Sequence, residues 1–326
     1  MILWTRYLAA IAALTALLPA ARAADPARDY PNRPVRIITG SPGSTSDIVP
    51  RFVGQRLAER WGQQIVIDNR PGAGGIIGTE IGAHAAADGY TLTVGHIGTH
   101  ASAQFLFKNL RYDPVKDFAP ISLLSVSGIA LVVNASVPAN NLKDFVAYAK
   151  AKPGGVNYAS AGGGTSSQLS GELFNQMTGA RLVHIPYKGA GFALAALVAG
   201  ETQAAFLSTT TANAQVKAGR LKALAVLSAK RFPAAPDIPS ATEAGVPGIE
   251  SNVWFGLFAP AGTPKSIITK IDRDVVAVLK LPEARDALLA QGAEASPTTP
   301  EEFALYLRKE IDKWGKVIKE AGIKSE

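Results

Sequence analysis

Twice along this chain a short apolar strand breaks into a run of glycine, serine and threonine and then becomes a helix. The first instance is IITGSPGSTSDIVPR, residues 37–51; the second joins VNYAS, residues 156–160, through AGGGT to a helix starting at Ser166. Such a loop offers backbone N–H groups and small hydroxyls, and the helix start directs a partial positive charge at the same spot. The unit can therefore grip an anion without a charged side chain, although the first stretch taken alone reads equally as a plain βα turn. The candidate donors are Ser41, Gly43, Ser44, Thr45 and Ser46 in the first loop, and Ser160, Gly162, Gly163, Gly164, Thr165 and Ser166 in the second. A buried carboxylate needs several hydrogen bonds to offset its lost hydration, and two converging helix starts supply them.

Where the first helix begins depends on a proline. Ser44 followed three residues later by Asp47 reads as a capping box, but then Pro50 falls inside the helix at a cost of about 3 kcal/mol. With Asp47 as the N-cap, Pro50 lies in the first turn, where its missing N–H costs little. The expectation is that Asp47 caps the helix at the edge of the site.

The surrounding pattern is βαβαβ. Strands are expected at 35–39, 64–68 and 90–95, with an amphipathic helix ending near Gly62 and an Ala-rich helix entered through NRPGAGG. This order implies a parallel sheet with right-handed crossovers. Parallel sheets bind ligands at the carboxyl ends of their strands, which brings the loop after Gly95, with Gly98 and Thr99, towards the first unit. The second half repeats the theme: a helix at 142–151, the second unit, and strands at 182–185, 202–208 and 221–227. Three helices then close the chain at 264–279, 283–291 and 300–321.

Two short crossings, near 128–132 and 252–257, can join a discontinuous first domain to an inserted second one. The expected boundaries are 24–128 plus 253–326 for domain 1 and 129–252 for domain 2. Each is a mostly parallel α/β sheet flanked by helices, with a ligand cleft between them that closes by hinge motion. A length of 326 residues suits two domains, and 47% hydrophobic with 18% charged residues is globular rather than disordered.

The N-terminus reads as a secretory signal peptide. Arg6 precedes an apolar run over 8–20, and Ala21-Arg22-Ala23 gives the small-x-small pattern for cleavage after Ala23. The run is too short to span a bilayer, which takes about 20 apolar residues. The expected location is periplasmic.

The usual carriers of catalysis are missing. The chain has no cysteine, so disulfides, thiolate metal sites and Cys nucleophiles are excluded. No G-x-S-x-G, nucleotide P-loop or dinucleotide fingerprint occurs. His96 and His100 are four apart, but Ile97-Gly98-Thr99 is a poor helix and no third ligand lies nearby, so no metal or other cofactor is expected. His184, in the strand-like LVHIPY, reads as a satisfied structural histidine. The formal charge is +7, yet the Lys and Arg residues are scattered with no basic stripe for nucleic acid.

These motifs together resemble a family. PGSTSD (42–47), NRPGAGG (69–75), DGYTL (88–92), YDPVKDF (112–118), YASAGGGTSS (158–167), HIPYKGA (184–190), KAGRLKALAV (217–226) and APAGTP (259–264) occur in an order similar to that of the Bug family. These are extracytoplasmic receptors of tripartite tricarboxylate transporters, and the likeness runs from about residue 30 to 324. The resemblance implies a noncatalytic periplasmic protein of the type II periplasmic-binding fold. It would bind a small organic acid between the two loops and deliver it, as a monomer, to the membrane permease subunits. A sensor role towards a membrane histidine kinase fits the same clamp.

Two departures bear on the ligand. Family members often carry an aromatic over the ligand where this chain has Gly40, which implies a wider mouth. Amino-acid-binding members carry an acidic residue after the phenylalanine near Phe206, whereas this chain has Leu207-Ser208-Thr209-Thr210. With Ser208 and Thr209 at that part of the site, the expected ligand has no amine: a dicarboxylate, tricarboxylate or aromatic acid.

Overall fold

The computed structural model describes residues 25–40, 42 and 45–323. The expected signal peptide, with its cut after Ala23, lies outside the described residues, as do Ser41, Gly43 and Ser44. The first half contains β1 (Val35–Thr39), α1 (Thr45–Trp61), β2 (Ile65–Asn69), α2 (Ile76–Ala83) and β3 (Thr91–His96). A π-helical turn (Ile97–Ala101) and the short α3 (Ala103–Leu106) lead to β4 (Phe118–Asn134). Next come α4 (Leu142–Ala151), β5 (Val156–Ser160), α5 (Ser166–Thr178), β6 (Leu182–Pro186) and α6 (Ala190–Ala199). β7 (Ala204–Ser208), α7 (Thr209–Lys217) and β8 (Leu221–Val226) complete the middle of the chain. β9 (Asn252–Pro260), α8 (Lys265–Leu279), α9 (Pro282–Ala290), β10 (Glu294–Ala295) and α10 (Pro300–Ala321) close it.

The strands run in the order β2-β1-β3-β9-β4-β7-β5-β6, with β10 and β8 also paired to β4. β1 pairs in parallel with β2 and β3, and β5 pairs in parallel with β6 and β7. Between these two parallel sets lie the antiparallel β9 and β4. β4 is one strand of 17 residues that changes partners along its length. Phe118 to Gly128 pair with β9, and from Ile129 the strand pairs with β7 and, by way of Ala130 onward, with β8.

Each parallel set has its own core. Val35, Ile37, Val53, Leu57 and Leu92 pack under the first, and Val156, Tyr158, Phe174 and Phe206 under the second. A third cluster joins the halves: Leu169 of α5 packs among Trp254, Phe258, Phe303 and Trp314. Across the same seam the Gln176 side-chain amide donates to the Val317 carbonyl at 3.1 Å. Within the cluster Glu310 is buried, and its Oε2 accepts the indole N–H of both Trp254 (2.9 Å) and Trp314 (2.8 Å) while Lys313 pairs with the other oxygen.

Terminal helices stop and start on local signals. α10 opens with a capping box in which Thr299 accepts from the Glu302 amide and Glu302 answers at the Thr299 amide. It ends at Gly322, whose φ of 63° only glycine adopts freely.

α1 corrects the placement of its cap. The helix starts at Thr45, so Asp47 lies inside the first turn rather than at the N-cap, and Pro50 is within the helix. Proline at 50 cannot donate to the carbonyl of Ser46 four residues back. That carbonyl instead accepts the hydroxyl of Thr39 at the end of β1. The strand therefore supplies the hydrogen bond that the helix lacks, and the proline is tolerated.

The segment after β3 is the second correction, since the glycine at 98 does not prevent helical winding. His96 holds the π turn in place: its Nδ1 accepts the Gly98 amide at 3.0 Å, and the Thr99 hydroxyl accepts the His96 amide at 3.1 Å.

Candidate functional site

A cleft of about 500 Å³ opens where the two halves meet. One side is built at the carboxyl ends of β1 and β3. Ser46, in the first turn of α1, lines it, with Ala73 and Gly74 of the glycine loop and Ile97 and Gly98 of the π turn. The other side is the second loop, with Gly163, Gly164, Thr165 and Ser166. No Lys, Arg, Asp or Glu lines this cleft among the described residues.

The first side is braced from behind. Asp47 is buried; it accepts the Asn69 side-chain amide at 2.8 Å and pairs with Arg51 at 2.9 Å. The same Asn69 amide donates to the Gly40 carbonyl at 2.9 Å, so Asp47 ties the first loop to the end of β2. A Cβ on Gly40 would lie 2.7 Å from the Ser46 hydroxyl, so any side chain at 40 would displace that donor.

His96 links two parts of the rim. Besides accepting from Gly98, its other ring nitrogen donates to the Gly74 carbonyl. Burial pushes its pKa down to about 4, with that carbonyl bond opposing the shift, so the ring is neutral near pH 7. His100 points away from the cleft into an aromatic cage, stacked on Phe258 at 4.0 Å and edge-on to Phe118 at 4.6 Å. Burial pushes its pKa down to about 3. No group of three or more His, Cys, Asp and Glu among the described residues is placed to hold a metal ion.

The second loop is held by a polar network beneath it. The Ser160 hydroxyl meets His184 Nε2 at 2.5 Å and accepts the Gly162 amide at 3.1 Å. Gln168 donates to His184 Nδ1 at 3.2 Å, and its oxygen accepts the Gly164 amide at 2.7 Å. Gly162 and Gly164 have φ of 125° and 70°, which a side chain would strain. The Thr165 hydroxyl donates back to the Gly162 carbonyl at 2.7 Å, and no side chain caps the first turn of α5. The α5 N-terminus thus keeps uncapped donors at the cleft, the arrangement that favours an anion.

The two sides touch. The Ser102 hydroxyl reaches the Gly164 carbonyl at 3.4 Å, and a Cβ on Gly164 would lie 2.5 Å from Leu106.

Of the residues singled out from sequence, Ser46, Gly98, Gly163, Gly164, Thr165 and Ser166 line the cleft together. Ser160 and Gly162 lie just beneath, in the network that shapes the loop. Thr99 is buried in the π turn, and the side chain of Thr45 is outside the described residues. Ser208 sits elsewhere: it caps α7 by accepting from the Thr211 amide. Thr209 is buried beside it, and the Thr210 hydroxyl donates to the Gln291 carbonyl at 2.7 Å. The sequence reading missed an apolar surface made by Leu106, Phe107, Val253 and Phe255, together with His96 and Ser102. The β9 pair carries its own signal, because strands that cross between two halves must form the floor of the cleft between them.

Comparison with known proteins places this geometry. Residues 49–323 match the tripartite tricarboxylate transporter family receptor. Protein BugT of Bordetella pertussis is 34% identical over 297 residues, covering 90% of this chain and 91% of BugT. An R. palustris protein solved with adipate aligns with a TM-score of 0.81 at 35% identity, covering 91% of this chain and 100% of its own. MatC from Rhodopseudomonas palustris, with bound malate, aligns at 0.76 and 35% identity over 89% of this chain and 100% of its own. The fold is accordingly the two-domain α/β fold of periplasmic binding proteins, and the chain belongs to the tripartite tricarboxylate transporter receptor family, whose members are solute-binding receptors rather than enzymes.

Proposed function

We propose that this protein clasps a small organic acid without an amine in the cleft between its halves and passes it to the membrane permease subunits of a tripartite transporter. The observation that carries this reading is the approach of two helix starts, α1 at Ser46 and α5 at Ser166, across a cleft that no charged side chain lines among the described residues. A carboxylate there is stabilised by N–H donors and helix dipoles, and an ammonium group would meet no carboxylate partner. The bound adipate and malate of the similar proteins support the same ligand class.

In this reading the hinge strands are β4 and β9, and the moving bodies are 24–128 plus 253–326 against 129–252. The protein works as a monomer in the periplasm after removal of residues 1–23. The first-loop residues Ser41, Gly43, Ser44 and Thr45 join Ser46 as one jaw, and 160–166 form the other. A thermal-shift screen of organic acids on the purified protein tests the proposal. An acid present at 100 times its Kd adds about 2.7 kcal/mol to stability. A flat response across mono-, di- and tricarboxylates would overturn it.

A further inference from the structure

The polar and apolar parts of the cleft are segregated, and the segregation narrows the ligand. Polar donors sit at the two helix starts. Between them the surface is apolar: Leu106 and Phe107 stand on one wall, and Val253 and Phe255 form the floor. The polar side chains that remain between the jaws are already engaged within the protein. Both ring nitrogens of His96 are used, one accepting from Gly98 and the other donating to Gly74. The Ser102 hydroxyl is buried and directed at the carbonyls of Ile97 (3.2 Å) and Gly164 (3.4 Å). The Thr165 hydroxyl is spent on Gly162.

A ligand hydroxyl or a third carboxylate lying over Leu106, Phe107, Val253 and Phe255 would lose its water against carbon, and among the described residues between the helix starts the polar side chains are already bonded, so that position is unfavourable for it. A methylene chain or an aromatic ring would gain from burial against the same residues. The volume of about 500 Å³ is in the ordinary range for a small ligand and leaves room for a body of this kind between the jaws.

We infer, resting on the receptor reading above, that the preferred ligand is an acid with an apolar body, an unsubstituted alkyl chain or an aromatic ring, carrying one or two carboxylates and no hydroxyl. Phe107 is the specificity-determining residue on the wall. It is half-buried at the edge of the third core cluster rather than inside it.

Calorimetric titration of the purified protein with adipate, benzoate, malate and citrate tests this. Adipate or benzoate is expected to bind at least tenfold more tightly than malate and citrate. In Phe107→Ser the apolar acid is expected to lose about tenfold while malate changes less than threefold, with the melting curve of the unliganded variant confirming that it folds. Malate or citrate binding as tightly as the best apolar acid, or an equal loss for all acids in Phe107→Ser, would overturn the inference and leave the receptor reading standing. No binding by any of the four, together with a flat thermal-shift screen, would overturn both.

Discussion

The hydroxyl of Ser160 lies 2.5 Å from Nε2 of His184, and through this contact the floor of the second loop is pinned to the neighbouring strand. Ser160 ends β5 and His184 sits in β6, so the pair fixes the loop at the point where it leaves the sheet. Gln168, bonded to the other ring nitrogen, carries the restraint on to Gly164.

Replacing His184 with phenylalanine keeps a ring beside Tyr158, whose centroid is 5.2 Å away, but removes both hydrogen bonds. Affinity for the acid that gives the largest thermal shift is expected to fall about tenfold, or about 1.4 kcal/mol, because the loop must then be ordered by the ligand itself. Calorimetry on the two proteins decides it. Unchanged affinity would mean that the glycine-rich loop keeps its shape without the histidine.

Thr39 and Pro50 should be energetically coupled through the Ser46 carbonyl. Thr39→Val is expected to cost about 1 kcal/mol in the native background, since it removes the hydroxyl that the Ser46 carbonyl accepts. In a Pro50→Ala background the amide gained at position 50 can bond the same carbonyl, and the cost should drop by at least about 0.5 kcal/mol. A double-mutant cycle by urea denaturation measures this coupling, and additive costs would contradict it.

His100, which is buried, and His96, half-buried at the rim of the cleft, predict a loss of stability in mild acid. His96 and His100 have pKa values pushed down to about 4 and about 3 by burial, against about 6.5 in the unfolded chain. The unfolded state therefore takes up protons first, and the contribution, complete above pH 6.5, is lost as pH falls towards 4, at up to about 1.4 kcal/mol per pH unit for each histidine. Asp272 works the other way below pH 6, because burial beside Glu301 and Glu302 raises its pKa to about 6. The comparison with His100→Phe isolates the histidine part: between pH 7 and 5 the variant should lose less stability than the native protein in urea titrations. Equal losses would mean that His100 takes up its proton in the folded state.

Glu310 is expected to be a costly residue to truncate. Glu310→Ala leaves two buried indole N–H groups unpaired, with an expected loss of about 3 to 5 kcal/mol in urea denaturation. Glu310→Gln keeps an oxygen for the indoles and should lose clearly less. If the two variants are equally destabilised, the charge pair with Lys313 rather than the indole contacts dominates.

Much of the fold was legible because its signals are local. The strand at Val35–Thr39, the helix at Leu142–Ala151 and the helix at Pro300–Ala321 fall where apolar periodicity and capping residues put them. The start of α1 was misjudged for a non-local reason, since the donor that makes Pro50 tolerable comes from Thr39 in a strand. The π turn after β3 was hidden in the same way: its winding depends on the imidazole of His96 and not on helix propensity. At the site, the two loops announce themselves by composition. The apolar wall does not, because Leu106 and Phe107 lie about 150 residues from Val253 and Phe255 and meet them only through the crossing of β4 and β9.

That crossing also limits how the molecule can be cut. The change of partners between Gly128 and Ile129 falls inside a continuous strand, hydrogen-bonded to neighbours on either side of the change. Two fragments divided there would each inherit half a strand and an exposed edge, so they would tend to aggregate rather than reassemble. A split-protein reporter or a circular permutant should instead place its break in a surface turn such as Lys152 to Gly155, which leaves β4 whole.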